Sequence, residues 1–259
     1  MRWLHVLFAL LINGVPVYGV LAEGWSAATI LVLYWLENLL TAVATCLRIA
    51  VHRSWTRKRG HYHGGQLGVV VGGKSARPIR TFLGEYATAA LVFTLAHGIF
   101  VVVLTLMLAS NHPDDRRWQL SLPQLRFGVA AVAAFLGAGL AADLPSLPTW
   151  SFARLRAYAQ QRLSRVLILH VTIIFGMLAI MLTESPFALL FVLVALKTLA
   201  DVGGALTRSE PLPERPPAWA SRLSARVGPA GRAGTEFDAK WRREIEDAKH
   251  QAQEDEEPV

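Results

Sequence analysis

The sequence is poor in charge and nearly devoid of cysteine. Only 17% of its 259 residues are charged against 53% apolar, and the mean hydropathy of +0.36 lies above the balance typical of a globular domain in water. A single cysteine, Cys46, excludes an intrachain disulfide framework and a cysteine-built zinc site. Set in an apolar run, it reads as a small buried hydrophobe. No nucleophile motif is present, and no internal repeat or broken helix of the transporter kind is visible. The net charge of +7 does not point to nucleic acid. The Lys and Arg residues collect in two loops and the tail, where basic chain beside a bilayer faces anionic lipid headgroups.

What remains is a set of long apolar runs. A helix needs about 20 apolar residues to cross hydrocarbon, which offers no partner to unpaired backbone groups. Six segments qualify: Trp3 to Ala22, Ser26 to Ala50, Ala87 to Ala109, Phe127 to Leu144, Val166 to Leu182 and Phe187 to Ala205. The predicted fold is therefore an all-α polytopic membrane bundle of six transmembrane helices over residues 1–206. A cleavable leader is the alternative for the first segment, since Val20-Leu21-Ala22 resembles a cleavage site, but Asn13, Pro16 and Tyr18 interrupt its apolar run. Lys and Arg concentrate after the second segment (Arg53, Arg57, Lys58, Arg59, Lys74, Arg77, Arg80), after the fourth (Arg154, Arg156, Arg162, Arg165) and in the tail. Cytoplasmic loops carry this excess, so loops 51–86 and 145–165 and both termini are expected inside.

Beyond Leu206, Glu210-Pro-Leu-Pro-Glu-Arg-Pro-Pro217 opens a flexible linker over 207–234. A short amphipathic helix is predicted over 235–253, with Phe237, Trp241, Ile245 and Ala248 in one stripe suited to the membrane surface or a protein partner. An acidic tail fills 254–259.

Two motifs in the first basic loop are rejected. Gly68 to Ser75 fits the phosphate-loop pattern, but no buried strand precedes it and Pro78 interrupts the helix that should follow. His61-Tyr62-His63 offers two ligands without a carboxylate, too few for a metal site.

The polar residues inside the spans are more informative, because each ionisable group there costs about 2.5 to 3.5 kcal/mol on the insertion scale. In the second segment Tyr34, Glu37, Asn38, Thr41, Thr45 and Arg48 recur at intervals of three and four and form one polar stripe. Asn13, Thr94, His97, Asp143, His170, Lys197 and Asp201 add to it from other segments. With the chain running alternately up and down, Asn13, Glu37, Asn38, His97 and Lys197 fall about 12 to 16 Å from the inner boundary and Asp143, His170 and Asp201 about 5 to 8 Å. Glu37 and Lys197 have opposite signs and are expected to pair; the shallower trio would suit a proton or a cation. All of these groups could equally be structural, a hydrogen-bonded network that glues helices together. Ala130, Ala134, Ala138 and Ala142 make the fourth segment a close-packing helix.

Trp35-Leu-Glu37-Asn38, His97-Gly98-Ile-Phe100, Arg165-x4-His170 and Lys197-Thr-Leu-Ala-Asp201, in this order on successive helices, resemble a family of prokaryotic six-helix membrane proteins known only as a domain of unknown function. The resemblance implies a prokaryotic plasma (inner) membrane protein in which Glu37, Asn38, His97, His170, Lys197 and Asp201 belong to one constellation. It supplies no activity and no cofactor. The sequence departs from the pattern at Ala89, where a second histidine is usual, and at Thr45, where an amide is usual.

Three functions stay open: proton- or cation-linked transport, membrane anchoring or assembly without catalysis, and an intramembrane enzyme. For the last, Glu37, His97, His170 and Asp201 are the candidates for metal ligation or acid–base work, although His97 and His170 differ in depth by about 8 Å, which argues against one shared metal or haem.

Overall fold

The structure is a computed structural model that describes residues 2–65, 67, 81–111, 114–115, 119–164, 175, 191–192, 194–196, 198–199 and 233–259. Among these residues the chain is all-α, without a strand. Four helices form its body: α1 (Arg2–Glu23), α2 (Ala27–Thr56), α3 (Phe82–Asn111) and α4 (Leu122–Asp143). All four are long and apolar enough to cross a membrane. The fifth and sixth predicted spans lie almost wholly outside the described residues.

Each long helix runs past the sequence estimate. Thus α2 continues to Thr56 and α3 begins at Phe82, taking in Arg53, Ser54 and Glu85 beyond the apolar runs. At the opposite end the α1–α2 turn is tight. Ser26 caps α2 by accepting the Thr29 N–H at 3.1 Å, and the Trp25 N–H donates to the Gly19 carbonyl at 2.9 Å. The Ser121 N–H donates to Thr29 Oγ1 at 3.0 Å, which ties the entry of α4 to the same turn.

α2 is the axis of the body, packed on α3 along one side and α4 along another, with α1 against α4. The outer surface is apolar: Leu91, Leu95, Ile99, Val103 and Leu106 on α3 and Leu7, Leu10 and Leu21 on α1 are all exposed. A band of that kind is at home in hydrocarbon and would be a large uncovered patch in water.

At the basic end the chain after α2 turns through Arg57 in the left-handed region (φ 49°) into a 3-10 turn, Arg59–Tyr62. After α4 a second 3-10 turn, Leu144–Thr149, leads to helix α5 (152–164). Ser151 accepts the Arg154 N–H at its start, and Phe152, Leu155 and Ala159 turn one apolar face inward. That face joins Ile49, Phe82, Tyr86 and Leu147 in a compact core. Gly60 lies directly under the Phe152 ring, where a Cβ would collide with it. The last helix, α6 (Ala233–Glu256), is longer than the short helix predicted from sequence, and the segment after it lies against the Arg57–Arg59 turn.

The α2–α3 contact depends on Gly98. A Cβ there would lie 2.9 Å from the Trp35 ring, whose Nε1–H donates to the Thr94 carbonyl at 2.8 Å. Leucine at 98 would overpack this contact, and Gly98→Leu should lose about 1 to 3 kcal/mol of stability. If the clash is with the Trp35 ring, thermal unfolding in detergent micelles will show Gly98→Leu/Trp35→Leu losing clearly less than the sum of the two single changes. Strict additivity would mean that the ring does not rest on Gly98.

Candidate functional site

The inward side of α2 carries Tyr34, Glu37, Thr41, Thr45, Arg48 and His52, all buried. Their spacings of 3, 4, 4, 3 and 4 hold them on one face. Thr45 donates to the Thr41 carbonyl at 2.8 Å and its hydroxyl hydrogen-bonds Tyr86, so the position where the resembled family has an amide still makes a polar contact to α3. Ala89, at the position of the missing histidine, is fully buried.

Toward the basic end the face is neutralised by an ion pair. Arg48 Nε–H donates to Asp143 Oδ2 at 2.9 Å, with the two side chains 6% and 2% exposed. The guanidinium also donates to the Ala44 carbonyl at 3.3 Å and stands 5.5 Å from the Tyr158 ring centroid. Two ions this deeply buried hold each other in place, and either one alone would be an uncompensated charge.

One turn on, two imidazoles meet. His52 Nδ1 and His61 Nε2 are 2.7 Å apart, both residues fully buried, and His52 Nε2 is 3.1 Å from the Trp150 carbonyl. A carbonyl only accepts, so His52 carries its proton on Nε2. In neutral His52 the Nδ1 lone pair then accepts from His61 Nε2–H, which leaves the His61 Nδ1 lone pair buried without a hydrogen-bond partner. The surrounding rings of Phe82 and Phe152 offer it none. Lys58 Nζ–H donates to the same Trp150 carbonyl at 3.0 Å. Burial pushes the His61 pKa down to about 3, with the charges of His52, Arg53 and Lys58 acting in the same direction.

Four residues expected in the polar constellation are described. Glu37 is buried on the α2 face and Asn38 half-buried beside it; Asn13, noted with them in the sequence, is buried on α1. His97 is buried and its Nδ1–H donates to the Phe93 carbonyl at 2.7 Å, so its lone pair is on Nε2. Because Trp35 rests on Gly98, the Trp-x-Glu-Asn and His-Gly motifs meet at one α2–α3 contact. Asp143 is the partner of Arg48. His170, Lys197 and Asp201 lie outside the described residues, and with them the Glu37–Lys197 pair, the inner trio and the glycine-rich run from Gly68 to Ser75. Among the described residues no group of three or more His, Cys, Asp or Glu is placed to hold a metal ion.

The His52–His61 pair is the part that sequence reasoning missed. Ending the second helix at Ala50 cut the polar stripe one step short, although His52 stands four residues after Arg48 and keeps the register. His63, the other imidazole of His61-Tyr62-His63, is exposed and takes no part in the pair's hydrogen bonds. The titration of His61 gives a stability signature. Its folded pKa lies below the ordinary value of about 6.5, so the unfolded chain takes up the proton first. This residue's contribution is intact above about pH 6.5 and is lost progressively as pH falls toward 3. Melting temperatures measured from pH 7.5 down to 4.5 should fall less steeply for His61→Gln than for the unaltered chain; parallel curves would show that His61 is not held neutral.

Similarity to known proteins bears on the body of the chain. No curated protein and no solved structure matches it. A family of unknown function, DUF6498, matches residues 1–218, which takes in all four long helices, the α2 polar face and the His52–His61 pair. The chain belongs to this uncharacterised family, DUF6498.

Proposed function

We propose that the protein is a proton-linked transport protein of a prokaryotic plasma membrane, with six spans and both ends in the cytoplasm. The observation that carries this reading is the length of the α2 face. From Tyr34 to His52 it spans about five turns or 27 Å, close to the roughly 30 Å of a hydrocarbon core. Polar groups that only glue helices need to appear at points of contact, whereas an unbroken buried row is what a transfer path requires.

The chemistry of the row favours protons over larger ions. Glu37 is a carboxylate at mid-depth that can load and release a proton, with Lys197 as its charge partner and Asn38 and His97 at the same level. The Arg48 guanidinium is tied to the Asp143 carboxylate, so this part of the row offers no uncompensated carboxylate to a metal cation. Asp143, His170 and Asp201 form the inner stage.

A pH-sensitive dye enclosed in vesicles bearing the purified protein tests this reading. Under an imposed potential, protons should cross faster than in protein-free vesicles, and Glu37→Gln should reduce the excess at least tenfold, while Ile99→Ala, on the exposed side of α3, leaves it unchanged. Flux equal to that of empty vesicles, or flux untouched by Glu37→Gln, would overturn the reading and leave the polar face as structural glue.

A further inference from the structure

The segment that follows α6 does not hang free. Its backbone adds to the turn after α2: the Arg59 N–H donates to the Glu257 carbonyl at 2.8 Å and the Val259 N–H to the Arg57 carbonyl at 2.9 Å. Together with Asp255 and Glu256 in the last turn of α6, its Glu257 carboxylate meets cations from two elements. Glu257 pairs with Arg59 at 2.8 Å, Asp255 stands 3.9 Å from Arg156, and Glu256 pairs with Lys58. The Glu256 carboxylate is held at both oxygens, since Oε1 accepts the Ala153 N–H at 3.2 Å while Oε2 takes Lys58. Ala153 lies in the first turn of α5, where unpaired N–H groups and the helix dipole favour an anion.

An oxyanion held by a helix start and a lysine, with Arg59 and Arg156 on the carboxylates either side of it, is an arrangement that can receive a phosphate group. Its surroundings have the character of a membrane–water boundary. Trp55 and Tyr62, three residues from Lys58 and Arg59 in the chain, are exposed, Arg53 lies over the Tyr62 ring at 4.6 Å, and Arg154 lies over the Trp150 ring at 4.1 Å. Aromatic rings with cationic side chains are enriched at headgroup depth, and each Lys or Arg near an anionic leaflet is attracted by about 1 kcal/mol.

We infer that Lys58, Arg59, Arg156 and the start of α5 form a binding site for the phosphate of an anionic phospholipid headgroup, occupied in this structure by the chain's own carboxylates from 255 to 257. The acidic segment is a displaceable strap. Where anionic lipid is scarce it closes the site, and where it is abundant the headgroup replaces Glu256 and the segment lifts away. The inference rests on the membrane placement proposed above and is independent of proton transfer. Because Lys58 also donates to the Trp150 carbonyl that accepts the His52 Nε2–H, exchange of strap for lipid is felt at the His52–His61 pair.

The test is binding of fluorescently labelled phosphatidylglycerol and phosphatidylcholine to the full chain in detergent micelles. Glu256→Gln/Glu257→Gln should bind phosphatidylglycerol at least tenfold more tightly than the unaltered chain, with phosphatidylcholine unchanged. Adding Arg59→Gln and Arg156→Gln, both on partly exposed side chains, should remove that gain; a circular dichroism spectrum of each variant establishes that it is folded. Equal phosphatidylglycerol affinity with and without the two glutamates, or a preference that survives loss of the two arginines, would overturn the inference. So would displacement of the lipid by glycerol 3-phosphate at matched concentration, which would make the ligand a soluble phosphate ester. An alkaline wash of membranes from the producing cells separates the two ideas: release of the chain into the aqueous fraction refutes the membrane placement, whereas retention without lipid selectivity refutes the site alone.

Discussion

An apolar environment offers nothing to a polar side chain, and this constraint organises the structure around α2. A helix satisfies its own backbone in any solvent, but Tyr34, Glu37, Thr41, Thr45, Arg48 and His52 on one face can be accommodated only if neighbouring helices cover them. α3 and α4 do so from two sides. The approach of α3 is set by Trp35 lying on Gly98, and that of α4 by the Arg48–Asp143 pair near the opposite end of the contact. The apolar side chains of α1 and α3 that remain uncovered form the outer surface.

The basic end obeys a different rule. There the core is aromatic and small, with Phe82, Phe152 and His61 ring against ring and Gly60 providing the space. Its polar atoms are chained together: Glu256 to Lys58, Lys58 to the Trp150 carbonyl, that carbonyl to His52, and His52 to His61. A surface charge on the acidic segment is thus linked by successive hydrogen bonds to a buried imidazole. Polar networks of this kind act as units, because the low local dielectric makes each missing partner costly.

The body of the fold was legible in the sequence because apolar length is a local property. All four described long helices were located from runs of apolar residues, and the α2 stripe from the spacing of six polar ones. The ends were harder, since a helix leaving hydrocarbon loses its apolar signal while keeping its geometry; that is why Arg53 and Thr56 were read as loop and His52 was lost with them. α5 was hidden similarly, its Phe152, Leu155 and Ala159 too short a pattern among arginines to stand out. Contacts far apart in sequence left no local trace. Arg48 and Asp143 were both noticed, but nothing in their neighbourhoods couples them, and nothing near Glu256 announces Lys58 or Ala153. Depth along the helices and the resemblance both group Glu37, Asn38 and His97, and the Trp35–Gly98 contact supplies a physical reason for two of the family's motifs to occur together.

The claim on which the rest depends is that the α2 face is buried and paired, and a double-mutant cycle on Arg48 and Asp143 measures it most directly. Asp143→Leu alone strands a buried guanidinium and should cost about 3 to 5 kcal/mol, whereas adding Arg48→Met removes the stranded charge and should recover most of that loss. Unfolding free energies in lipid nanodiscs give the coupling. A double variant close to the unaltered chain is the predicted result, and losses that simply add, or single changes without effect, would contradict it.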